Sequence, residues 1–158
     1  MANNSLVAFF RDRRDGNIWR SLSKDDGRSW SEPSRTILPN PNKAVQAMML
    51  QSGAIAILFD NQRGAKQPDH RKLSPMTIAL TYDAGDTFPY AKDMEDDYDV
   101  LLEYSYPSMV QEPKGDIHLT YTFSSGGKTR TAIRYIRITE DWIKEPWKWR
   151  YRNKYTIG

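Results

Sequence analysis

The sequence contains no cysteine, only two histidines and no apolar run long enough to span a membrane. The first absence excludes a disulfide framework and any thiolate metal site. His70 and His118 lie in separate segments, and a metal site built on them would need carboxylate partners. His118 alternates with Ile117 and Leu119, as a hydrogen-bonded strand residue does. Asp96, Asp97 and Asp99 lack calcium-loop spacing and read as a solvated acidic loop. No metal or cofactor is therefore expected. With neither a membrane-length stretch nor a signal-peptide pattern, the chain is expected to be soluble and to have no membrane partner. G-x-S-x-G, P-loop and G-x-G-x-x-G motifs are also missing. Helical periodicity is nearly absent, leaving room for one short helical turn near residues 141–144. The net charge of +3, from 23 basic and 20 acidic residues, is too small to indicate nucleic acid.

What remains is the composition of strands and turns. The 158 residues suit one domain, and the aromatic share is 12%. Short apolar, β-branched or aromatic segments recur at 6–12, 18–25, 44–50, 54–60, 76–83, 106–112, 116–123 and 130–139. Asp-Gly, Ser-Gly, Lys-Gly and Gly-Gly turn signals lie between them. The chain therefore reads as all-β.

An internal repeat organises these segments. Ser23, Asp25, Gly27 and Trp30 fit the frame S-x-D-x-G-x-x-W. Thr81, Asp83, Gly85 and Phe88 fit it with Thr for Ser and Phe for Trp. Each copy follows an apolar strand, and strand–turn–strand–strand recurs with a period near that of one propeller blade. A third unit, around 106–139, ends in Thr139–Trp142, which is too short for the frame. The frame has a physical logic. The Asp carboxylate accepts backbone N–H groups of its own turn, the Gly permits φ > 0 at the bend, and the aromatic is expected to fold under the hairpin and fill its base. Asp25 and Asp83 thus read as turn caps rather than as catalytic carboxylates.

Two boxes, the LPNPN segment after the first and the YSYPS segment at 104–108 together resemble the sialidase-like BNR/Asp-box family over almost the whole chain. The resemblance implies β-propeller blades of four-stranded antiparallel sheets, about three here, over 6–43, 44–104 and 105–158. Such blades would form half of a six-bladed ring. The implied partner is either a second copy that completes the ring or a preceding N-terminal half. The implied activity is that of an exo-glycosidase of the neuraminidase type acting on acidic sugars, or that of a non-catalytic module binding glycans or proteins.

Family members cleave with a tyrosine nucleophile, activated by a glutamate, while arginines hold the sugar carboxylate. The resemblance assigns the nucleophile to Tyr106. The activating glutamate falls at Met49. One arginine position falls at Asn61, with Arg63 two residues on; another falls at Leu73, with Arg71 two residues before. Carbohydrate is the expected ligand. Residues 144–155 alternate Trp147, Trp149 and Tyr151 with basic residues. This favours a packed last strand over base or sugar stacking.

Overall fold

The structure, a computed structural model, describes residues 5–13, 16–61, 75–95, 102–125 and 130–146. Within them the chain forms β1 Leu6–Phe10, β2 Asn17–Ser23, β3 Ser34–Pro39, β4 Gln46–Met49, β5 Ile55–Asp60, β6 Met76–Thr81, β7 Tyr90–Asp93, β8 Glu103–Gln111, β9 Ile117–Ser124, β10 Ala132–Ile138 and a helix, α1, Glu140–Lys144. All strand pairing is antiparallel, in three sheets ordered β1-β2-β3, β4-β5-β6-β7 and β10-β9-β8. The strands expected at 6–12, 18–25, 44–50, 54–60, 76–83, 106–112, 116–123 and 130–139 all appear, with shifted ends. Two were not read from the sequence. These are β3 and β7, which follow the boxes and close their hairpins.

The middle sheet holds the structure together. Every residue of β5 and β6 is buried, which requires cover on both faces. Leu50, Ala56, Leu58, Ile78 and Leu80 face Leu119, Tyr121 and Ile138 of the third sheet. Ile55, Ile57 and Ala79 face Ile18 and Leu38 of the first. Alternation along β5 therefore divides one strand between two cores, as period-2 geometry dictates. Polar bonds stitch the sheets as well. The side-chain amide of Gln46 donates to the Met109 carbonyl at 3.2 Å and accepts from the Met109 amide at 2.7 Å. The Gln51 amide donates to Gln111 Oε1 at 2.8 Å.

Register fixes which ends of the sheets lie together. Ile55 pairs with Thr81 at the end from which the second box leaves, and Asp60 pairs with Met76 at the other. The Gln51 bonds bring the 112–116 hairpin to the box end. Asp60, Glu103, Ser124 and the start of β4 therefore lie at the opposite end. Lys43 Nζ confirms this, lying 2.7 Å from Asp60 Oδ2 and 3.5 Å from Glu103 Oε1.

The third unit ends in a helix where the first two have a box. Thr139 caps α1, its hydroxyl accepting the Trp142 amide at 3.1 Å. A threonine three residues before an amide with no helical partner is a helix start, and the short T-E-D-W segment folds accordingly.

Candidate functional site

The two boxes adopt the same hydrogen-bond pattern. In the first, Asp25 Oδ1 accepts the Ser29 amide at 2.8 Å and the Ser23 hydroxyl at 2.9 Å, while Oδ2 accepts the Ser29 hydroxyl at 2.6 Å. In the second, Asp83 accepts the Thr87 amide at 2.8 Å, the Thr81 hydroxyl at 2.7 Å and the Thr87 hydroxyl at 2.6 Å. Gly27 and Gly85 each donate their amides to the first hydroxyl of the box, both at 2.8 Å. Asp26 and Ala84 stand at φ 61° and 56°, ahead of Gly27 and Gly85 at 83° and 94°. The carboxylates are spent on their own turns.

Their acidity follows from this. Hydrogen bonds from the Ser29 hydroxyl and amide and from Ser23 bring Asp25 down to about 2. For Asp83 burial pushes upward, but the Thr87 hydroxyl and amide and Thr81 outweigh it, again giving about 2. Neither holds a proton near neutrality, so neither serves as a general acid. A depressed native value contributes stability that is present above the ordinary 3.8 and is lost as pH falls through about 2. Asp25→Asn and Asp83→Asn are therefore expected to unfold more readily than the unaltered chain at pH 7. The difference should close as pH falls from about 4 to 2, as urea melts across that range would show.

The box aromatics differ from the expectation. Phe88 is 3% exposed, but Trp30 is 44% exposed. The Trp30 indole N–H donates to the Gly27 carbonyl at 3.0 Å. Phe88 is buried because it contributes to the core between the first and middle sheets.

Polar side chains gather at the end opposite the boxes. Tyr106 sits where the β8–β9 register shifts, between the pairs Ser105–Thr122 and Ser108–Thr120. Its φ of 52° is left-handed, and it is 52% exposed. A bulge re-aims a side chain out of the pleat, and Pro107 brings no amide to the ladder. The Tyr106 hydroxyl accepts from Arg130 Nη2 at 2.7 Å, and the guanidinium carbon lies 4.7 Å from the ring centroid.

The other candidates divide. Asn61 stands after β5; its amide donates to the Pro75 carbonyl at 2.9 Å, and its side chain bonds Asp93. Burial pushes the Asp93 carboxyl upward against the Thr77 and Asn61 hydrogen bonds. Met49 lies on β4 beside Leu6 and Ile55, facing the first sheet. Arg63, Arg71, Leu73, His70, Asp96, Asp97, Asp99, Trp147, Trp149 and Tyr151 lie outside the described residues. Among the described residues no group of three His, Cys, Asp or Glu side chains converges on a metal site. Nor is any helix there long and apolar enough to cross a membrane.

Sequence reasoning missed Arg130. It also missed a tyrosine–carboxylate pair. Tyr121 donates its hydroxyl to Glu95, whose two oxygens accept Arg134 at 3.1 and 2.9 Å. Burial, then Glu95, hold the Tyr121 phenol far above its ordinary value. Tyr121 is closed to solvent with its proton committed, so it is a structural tyrosine. A cleft of about 340 Å³ lies at the box end between Gln51, Gln111, Asp116 and Glu140. There Gln51 and Gln111 are bonded to backbone, and Glu140 is paired with Lys144. Tyr106 is instead both accessible and displaced from its ladder.

The profile of the BNR repeat-like domain matches residues 1–119. No curated protein matches the sequence. Among solved structures, the chain is similar to the intramolecular trans-sialidase from Ruminococcus gnavus in complex with oseltamivir carboxylate. The TM-score is 0.68 at 21% identity, over 92% of this chain and 32% of that one. It is also similar to the NanB sialidase from Streptococcus pneumoniae, with TM-score 0.65 and 18% identity over 89% of this chain and 22% of that one. For the leech intramolecular trans-sialidase the values are 0.67 and 18%, over 90% of this chain and 23% of that one. The chain thus spans a third or less of the length of these relatives. In fold, its sheets are blades of their β-propeller.

Proposed function

The chain belongs to the family of BNR repeat-like domains, and from that premise we propose that it is a segment of a carbohydrate-active propeller acting on acidic sugars. The reaction is hydrolysis of a terminal glycosidic bond of the sialidase type, with Tyr106 as nucleophile. A neutral phenol approaches a carboxylate-bearing sugar without the repulsion a carboxylate nucleophile would meet. The observation that carries this reading is the placement of Tyr106. A bulge and a left-handed backbone lift it from β8, half exposed, with a guanidinium at its hydroxyl. Arg63 and Arg71 are the proposed further contacts to the sugar carboxylate, and Asn61 is proposed beside them. Release of the chromophore from an aryl sialoside tests the reading. Binding of the sugar without release would assign the chain to the non-catalytic class.

The partner is proposed on separate grounds. Register makes Leu6, Ala8 and Phe10 the counterparts of Ile55, Ile57 and Phe59, because Leu6 pairs with Ser23 of the first box as Ile55 pairs with Thr81 of the second. The β5 trio is buried, whereas Leu6 and Phe10 are open. We propose that a further blade covers this apolar face, from a second copy or from a preceding segment. Light scattering separates the two sources: a second copy gives twice 18.4 kDa, and a preceding segment leaves 18.4 kDa.

A further inference from the structure

We propose that Arg130 is the positioning residue for Tyr106, and that it sets the direction of the phenolic hydrogen bond. The proposal rests on the reading of Tyr106 as nucleophile. Arg130 stands just before β10, in left-handed backbone at φ 54°, and Tyr106 opposite it stands at φ 52°. Neither is a glycine, so two side chains face one another across a backbone that L-residues rarely adopt.

Arg130 makes two contacts with Tyr106 at once. One N–H reaches the hydroxyl oxygen at 2.7 Å, and the guanidinium carbon lies 4.7 Å from the ring centroid. A bond to the oxygen alone would let the ring rotate about it. A contact with the ring alone would leave the oxygen free. The two together fix both, and a planar, always-charged fork is the side chain suited to doing so.

The charge of Arg130 is unlike that of its neighbours. Arg134 donates from Nη1 to both oxygens of Glu95, Arg137 lies 3.2 Å from Asp116, and Arg20 pairs with Asp86. Among the described residues Arg130 makes no ion pair, and Tyr106 is its side chain's hydrogen-bond partner.

Polarity gives the pair a chemical consequence. A carboxylate beside a tyrosine accepts the phenolic proton, as Glu95 does from Tyr121. A guanidinium only donates. With Arg130 on the phenol oxygen, the oxygen is the acceptor and its own proton points elsewhere, toward solvent or an arriving sugar. Met49, the position to which the family resemblance assigns a carboxylate, pairs with Ile55 at the box end, away from Tyr106. Arg130 holds Tyr106 from the β10 side.

The test needs no turnover at its first stage. In protein carrying ring-labelled tyrosine, the Tyr106 resonance is the one lost in Tyr106→Phe. Arg130→Met, which keeps the stem and removes charge and donors, should shift that resonance; Arg130→Lys should shift it less. No shift in Arg130→Met overturns the proposal. At the second stage, on an aryl sialoside, Arg130→Met should lower kcat about tenfold to a hundredfold with KM within about twofold. Arg130→Lys should recover part of the loss. A raised KM with unchanged kcat overturns the proposal, because it makes Arg130 a ligand contact. If the resonance moves but the unaltered chain releases no chromophore, the positioning contact is supported and the hydrolase reading fails.

Discussion

Replacing Gly85 by alanine is expected to destabilise the protein by about 2–4 kcal/mol, the sum of a left-handed backbone penalty and an overpacking penalty. The backbone at Gly85 has φ +94°, where a side chain is strained whatever space it finds. Here there is no space. A Cβ would stand 2.9 Å from Phe9 Cε1 and 3.2 Å from Arg20 Cδ. Both neighbours belong to the first sheet, and Arg20 also donates to the Ala84 carbonyl at 2.6 Å. The second box is therefore a contact between sheets as well as a turn. Gly53 supplies the control. Its φ is +86°, but no atom lies within 4 Å of a Cβ built there. Gly53→Ala should cost only about 1 kcal/mol, the backbone penalty alone. Urea unfolding of the two variants separates strain from collision; equal losses would refute the contact.

The second large effect concerns chemistry. Tyr106→Phe removes one oxygen from a half-exposed side chain and should change stability by no more than about 1 kcal/mol, the worth of one hydrogen bond. On the proposed role of Tyr106 as nucleophile, turnover of an aryl sialoside should fall by on the order of 10³-fold or more, because the attacking atom would be lost. Tyr121→Phe should act in the opposite manner. It strands the Glu95 and Arg134 network and weakens the fold, leaving no direct chemical role to lose. Unfolding midpoints and initial rates for the pair of variants test this division. Two tyrosines that read alike by residue type are told apart by burial.

How much of this was legible in the sequence depends on whether local pattern or distant packing decides. The boxes were legible because their bonds close within seven residues. Ser23, Asp25, Gly27 and Ser29 satisfy one another whatever surrounds them. The buried strands of the middle sheet were legible from their apolar runs. β3 and β7 were not. β7 is only four residues long and β3 ends on Pro39, so neither alternates long enough to stand out.

Trp30 shows the limit of reading a repeat as if all copies were equal. Its frame position matches that of Phe88, yet burial depends on what lies over it, and that is set by neighbouring sheets. Arg130 shows the same limit at the site. Nothing in the 126–131 stretch marks it, because its partner lies 24 residues back across β9. The arginines that the resemblance did indicate, Arg63 and Arg71, fall outside the described residues. Asn61 bonds to Asp93. Tyr106 alone among the sequence candidates carries the described site.

The proposed role of Tyr106 is that of a nucleophile whose phenolic oxygen forms a covalent bond to the sugar. It is tested most directly by incubating the chain with a mechanism-based fluorinated sialosyl fluoride and mapping the adduct by peptide mass spectrometry. The predicted result is one sugar on the peptide containing Tyr106, absent in Tyr106→Phe. A sugar on any other residue, or hydrolysis of the aryl sialoside that persists in Tyr106→Phe, would contradict it.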